Sequence, residues 1–166
     1  MSQFNLPSNT LIRRAVIDEA PVIAQVLHQA FVEFEAQYTP AAFAATTPAS
    51  DQIQKRWNEG PVWVAVQFDQ LVGTISAVPK MEGLYVRSMA VLPSARREGI
   101  GVLLLQTVEQ FAVAQGFQRM FLSTTPFLTG AIRLYEQFGF YRSNDAPHEL
   151  FGTPLFTMVR LLDVSF

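Results

Sequence analysis

Between Gly83 and Gly116 the apolar pattern changes its period, and few folds accommodate that change. Gly83 to Val91 has the alternation of a strand and is closed by Leu92-Pro93, after which Leu104, Val108, Phe111 and Ala112 recur at helical spacing until Gly116. A strand therefore feeds a helix across Leu92-Pro93-Ser94-Ala95-Arg96-Arg97-Glu98-Gly99-Ile100-Gly101. Two arginines and two glycines meet where the helix begins. A helix N-terminus carries unpaired N–H groups and a partial positive charge, so it takes phosphate wherever the backbone can be approached closely. Gly99 and Gly101 give that access, and Arg96 and Arg97 add charge-assisted donors. The plainer alternative is a pair of glycines that merely permits a tight turn. The nucleotide alternatives fail: G-x-G-x-x-G would need glycine where Leu104 stands, and no G-x-x-x-x-G-K-[ST] occurs.

The rest of the chain supplies elements for a sheet and its flanking helices. Leu11 to Val16 reads as a first strand. A helix from about Asp18 to Glu35 carries Ile23, Val26, Leu27, Ala30, Phe31 and Phe34 on one stripe, with Pro21 in its first turn. Residues 36–49 read as a loop or a broken helix. Ser50 is expected to cap a short second helix through Trp57, with Gly60 as its left-handed stop. Val62 to Phe68 and Leu71 to Val78 form a hairpin turning at Asp69-Gln70, with Pro79 ending its second strand. After the central helix come a strand at Arg119 to Thr124 and a helical stripe of Ala131, Ile132, Tyr135 and Phe138 stopped by Gly139. A closing strand at Leu155 to Leu162 follows a polar loop, with room for one more strand at Phe140 to Arg142. The expected order is β-α-α-β-β-β-α-β-α-β within one domain, residues 1–166.

Composition narrows the function. With 12 basic and 14 acidic residues the formal charge is −2, so no net positive field exists to hold nucleic acid. The absence of cysteine removes thiolate metal sites, disulfides and a cysteine nucleophile, and no metal site is expected. The start, Met1 to Pro7, lacks the pattern of a secretory signal, and no apolar run reaches the ~20 residues of a membrane span. A cytoplasmic location is expected. A hydrophobic share of 49% with 14 phenylalanines implies an ordered core and leaves a homodimer open.

Val91-Leu92-Pro93-Ser94-Ala95-Arg96-Arg97-Glu98-Gly99-Ile100-Gly101 resembles V-x-P-x-x-R-x-x-G-x-G/A, the acetyl-coenzyme A signature of the GNAT superfamily of N-acetyltransferases. Ala131-Ile132-Arg133-Leu134-Tyr135-Glu136-Gln137-Phe138-Gly139-Phe140 is similar to that family's second motif, A-x-x-L-Y-E-x-x-G-F. The resemblance implies an α/β domain whose mixed, mostly antiparallel central sheet is splayed, with the pantetheine arm lying in the gap. It implies acetyl-CoA as co-substrate, bound by Arg96, Arg97, Glu98, Gly99, Ile100 and Gly101 and by the backbone of Met89, Ala90 and Val91. The family often has an asparagine before the second motif; here Leu128 stands in its place.

Acetyl transfer to an amine needs a neutral nucleophile at the thioester carbon, stabilisation of the oxyanion, and a proton for the departing thiolate. The resemblance makes Tyr135 the general acid; without it, a core tyrosine on a helical stripe is the simpler reading. Glu82 is the candidate base, against the ordinary reading of an exposed carboxylate, with Tyr85 and Ser88 on the acceptor side. His28 and His148 are assigned solvent or structural duty, since neither has a partner pattern. A non-catalytic acyl-CoA sensor would share the same loop, and Tyr135 favours the enzyme.

Phe31 to Ser50 carries Phe34, Tyr38 and Phe43 beside Glu33 and Glu35 and contains no arginine or lysine. Either these rings only pack the first helix, or the segment points to a cationic amine with an apolar body, a small molecule or a peptide N-terminus, held partly by Tyr38 and Phe43, and away from an anionic acceptor.

Overall fold

A computed structural model describes residues 9–163. Strand β1 (Thr10–Arg14) pairs antiparallel with β2 (Val62–Gln67), which pairs with β3 (Gln70–Lys80), which pairs with β4 (Gly83–Val91). The one parallel pairing is between β4 and β5 (Arg119–Thr124). Beyond it, β5 pairs antiparallel with β8 (Thr153–Leu161), which also takes β6 (Tyr141–Arg142) and β7 (His148–Leu150). The result is an eight-stranded, largely antiparallel open sheet.

Helix α4 (Ile100–Ala114) packs on one face of the sheet and α5 (Thr129–Phe138) lies beside it. Leu104, Leu105 and Val108 have no exposed surface there, each burial being worth about 1.5–3 kcal/mol. Helix α1 (Ala20–Phe31) covers the other face with Ile23, Val26 and Leu27, joined by Ile53 of α3 (Ser50–Lys55). Helix α2 (Pro40–Thr46) carries a smaller cluster of Tyr38, Ala42 and Phe43.

Several boundaries differ from the sequence reading for physical reasons. α1 ends at Phe31 and continues as a 3-10 stretch, Val32–Gln37, where the Arg96 guanidinium takes the Ala30 carbonyl. Residues 40–46 are helical because the Thr39 hydroxyl accepts from the Ala42 amide at 3.2 Å and Pro40 suits the first turn. Ser50 is the first helical residue of α3 and does not cap it; the Gln52 side chain instead accepts from the Ala49 amide at 3.1 Å. The β2–β3 turn falls on Phe68 and Asp69, both left-handed with φ of 48° and 61°, one residue earlier than expected. Pro79 does not end β3. The Ala77 amide points to Pro61, so two residues on the missing N–H of Pro79 faces a side that β2 no longer covers. Strand β7 lies in a segment that reads as a polar loop; its pairing with β8 is supplied by the hairpin.

Gly60 also differs. Its φ of 169° is extended, so no left-handed stop is involved. Glycine is needed because a Cβ there would lie 1.9 Å from the Ala77 carbonyl oxygen. Gly60→Ala is therefore expected to cost about 2–4 kcal/mol in denaturant unfolding, by overpacking against fixed backbone. Gly130→Ala, on α5 with nothing within 4 Å of the added Cβ, is expected to be neutral or to gain about 0.5–1 kcal/mol.

Candidate active site

β4 and β5 pair only at Leu84↔Met120 and Tyr85↔Phe121, after which they diverge. The gap opens into a cleft of about 900 Å³. Its wall on the β4 side is shaped by a bulge: Ser76 pairs with Arg87 and Thr74 with Ala90, so Ser88 and Met89 together oppose Ile75. Ser88 has φ of 56°. The extra residue re-aims the strand just where it turns away from β5, and Ser88, Met89, Ala90 and Val91 line the cleft. No sequence signal marks the bulge, because serine has no special claim on that conformation.

At one end of the cleft stands the N-terminus of α4. Gly99 caps it in the left-handed region, φ 81°, and a Cβ there would meet nothing within 4 Å. The space in front of the helix is open, and the first amides of α4 lack intrahelical acceptors by their position. Gly101 serves a different purpose. A Cβ on it would come within 2.6 Å of Leu134 and 3.1 Å of Met89, so its smallness lets α5 pack close to α4. Arg97, itself left-handed at φ 68°, is exposed on the cleft and makes no ion pair among the described residues. Arg96 also lines the cleft, but its guanidinium is held by Glu33 and by the Ala30 carbonyl, which ties the loop to the end of α1. Glu98 is exposed and does not contribute to the lining. Gln137, Arg133 and Leu128 border the same region from α5 and its approach.

Three phenols converge further in. Tyr135 is buried, and burial first, then the neighbouring Tyr38 and Tyr85, pushes its phenol well above the ordinary range. Tyr38 is buried too; burial raises its phenol, partly offset by the hydroxyls of Thr125 and Thr46 beside it. The side-chain oxygens of Thr124 and Thr125, at the end of β5, are buried on the cleft without a well-formed hydrogen bond among the described residues. Here the lining is completed by Arg56 from the end of α3, Arg87 and Tyr85 from β4, and Leu150 and Leu155 from the β7–β8 hairpin.

The structure does not bring Glu82 into this group. It sits on the exposed turn between β3 and β4, outside the lining, because the hairpin carries it to the far end of β4 from Met89. His28 is exposed on α1, its ring centroid 5.8 Å from that of Phe43 in an edge-on arrangement. Phe43 is core, packed on Tyr38, and takes no part in the lining. His148, by contrast, lies beside the site. Its Nε2 is 3.2 Å from the Ser123 hydroxyl oxygen, and Ser123 lines the cleft. The two come together only because β7 folds over β8 and β8 pairs with β5.

Among the described residues no group of three or more His, Asp or Glu could hold a metal ion, and no helix is long and apolar enough to cross a membrane.

Comparison with known proteins agrees with this geometry. The fold matches the PaiA N-acetyltransferase of Thermoplasma acidophilum, solved with coenzyme A, at a TM-score of 0.78 and 15% identity, covering 92% of this chain and 99% of that one. It also matches the ribosomal-protein-S18-alanine N-acetyltransferase of Escherichia coli, at a TM-score of 0.74 and 15% identity over 95% of this chain and 96% of that one. In sequence, the chain is 27% identical over 140 residues to the uncharacterized N-acetyltransferase YjgM of Escherichia coli, covering 81% of this chain and 83% of the relative. N-acetyltransferase family 8 member 3 of Rattus norvegicus is 35% identical over 89 residues, which is 50% of this chain and 39% of that longer protein. The model of the Acetyltransferase (GNAT) family matches residues 26–140, spanning the loop before α4, the splayed strands and the Tyr135 helix. With the fold, the glycine-bearing loop before α4 and that match in agreement, the chain belongs to the GNAT family of acetyl-CoA-dependent acetyltransferases.

Proposed function

We propose that the chain moves the acetyl group of acetyl-CoA directly onto a primary amine in a ternary complex. The observation that carries this reading is the buried phenol of Tyr135, which lines the cleft that runs from the open end of α4 to the polar groups of β5. The diphosphate lies on the first amides of α4 and on Arg97, with Gly99 leaving the approach clear. The thioester lies along the unpaired stretch of β4 at Met89, Ala90 and Val91. The amine nitrogen attacks the carbonyl carbon, a C–N bond forms, and the tetrahedral oxyanion collapses with cleavage of the C–S bond. Tyr135 gives its proton to the departing sulfur, and the attacking nitrogen loses one.

For that second proton we replace Glu82 with His148. The cleft lining holds no aspartate, glutamate or histidine, so a proton leaving the acceptor has no direct base to meet. Ser123 faces the cleft and shares a hydrogen bond with His148 on its outer side, which gives the proton an exit.

Arg97→Ala is expected to weaken acetyl-CoA binding about tenfold, read by titration or by the loss of ligand-induced rise in Tm, with the unliganded Tm unchanged. Tyr135→Phe is expected to lower kcat about 10²-fold with acetyl-CoA affinity nearly intact. Because folding raises the Tyr135 pKa, the neutral form is favoured. Its contribution to stability is complete below the unfolded value of about 10 and is lost as the pH rises beyond it. Activity should accordingly show no alkaline limb from Tyr135 below about pH 10. His148→Ala is expected to slow turnover about tenfold near neutrality and less at high pH, where more of the acceptor arrives neutral. A defect independent of pH would return His148 to a structural role.

A further inference from the structure

The acceptor half of the cleft has a charge that the Phe31 to Ser50 segment alone does not reveal. Two arginines enter it from other elements: Arg56, at the end of α3, and Arg87, on β4. Both are half-buried. Arg56 makes no ion pair among the described residues, and Arg87 has a single one, Nη1 to Glu59 Oε2 at 2.9 Å, on a carboxylate that stands outside the cleft. The Arg87 Nε is buried without a partner among the described residues. Among the described residues no carboxylate lines the cleft itself, so Arg56 is unbalanced there and Arg87 shares its charge only with Glu59 outside. The diphosphate is provided for at the opposite end, by the start of α4 and Arg97, which leaves Arg56 and Arg87 unassigned.

Resting on the acetyltransferase reading above, we infer that the acceptor is a free α-amino acid whose carboxylate is held by Arg56 and Arg87. A half-buried guanidinium with donors unsatisfied is costly to leave so, and a carboxylate meets its planar fork with two parallel hydrogen bonds. The same charges act on the amine. A positive neighbourhood without carboxylates favours the neutral, reactive form over the ammonium, so the site selects the carboxylate and releases the proton. The apolar or aromatic side chain of the amino acid packs against Tyr38, Tyr85, Leu150 and Leu155. A polyamine would meet two guanidiniums, of which only Arg87 has a carboxylate partner, and the N-terminus of a long peptide would bring no carboxylate next to its amine. This inference departs from the expectation, drawn from residues 31–50 alone, that anionic groups are excluded.

The test is a panel of matched pairs, each α-amino acid against its decarboxylated amine, such as phenylalanine with phenethylamine and leucine with isopentylamine. Thiol release from acetyl-CoA is the readout. The best amino acid is expected to exceed its decarboxylated partner in kcat/KM by about 10²-fold or more, because the paired amine leaves buried donors unmatched. Arg56→Ala, or Arg87→Gln, is expected to close most of that gap, while acetyl-CoA affinity measured without acceptor stays within about twofold. Arg56→Lys, which keeps the charge and loses the fork, guards against a fold defect and should restore part of the preference. Equal or better turnover of the decarboxylated amines, an unchanged gap in the arginine variants, or no turnover of any amino acid would each overturn the inference. Failure of acetyl-CoA to bind at all would instead remove the acetyltransferase reading beneath it.

Discussion

The site depends on two strands that stop pairing. β4 and β5 share two residue pairs and then part, and the backbone donors and acceptors that a continued ladder would have used are left facing a cleft. Such a break is costly unless something fills it, since exposed ladder groups need partners. The bulge at Ser88 makes the parting abrupt and is paid for by the packing on either side: α4 fixes one face of β4 through Leu84 and Val86, and α1 fixes the other through Ala90. The cleft is therefore built by the sheet and held open by the helices.

The helices contribute more than support. Helix α4 begins soon after β4 ends, so the strand that walls the cleft also delivers the helix start to the mouth of the same cleft. Gly101 lets α5 approach α4, and that approach carries Tyr135 into the interior. Arg96 fastens the loop to α1. These contacts make one assembly of loop, Tyr135 and strand edge, in which the position of each group fixes the others.

What the sequence made legible was local. The loop from Leu92 to Gly101 and the Tyr135 stripe are contiguous, with residue types that have few other uses at that spacing, and both lie on the cleft. The mostly antiparallel character of the sheet and its splay followed from resemblance, since period and turns alone leave strand pairing open. The illegible parts were those made by chain crossings. His148 reaches Ser123 through a hairpin over β8, and Arg56 and Arg87 reach the acceptor half from segments outside the aromatic stretch that first suggested the acceptor. Phe43 was misread for the reverse reason: its spacing put it beyond the α1 stripe, but α2 gives it a core of its own with Tyr38 and Ala42. Glu82 was close to the cleft strand in sequence and far from the cleft in space, because an extended strand moves about 3.3 Å per residue.

The account's central claim is that the acetyl group passes straight from thioester to amine, with the protein supplying position, protons and charge. It is tested most directly by mixing the protein with a small excess of acetyl-CoA labelled in the acetyl group, without acceptor, and following thiol release and labelled protein through the first turnover. The account predicts no burst of thiol and no labelled protein until an amine is added, with intersecting initial-velocity patterns thereafter. A burst of one thiol per chain with the acetyl group covalently on the protein would contradict it.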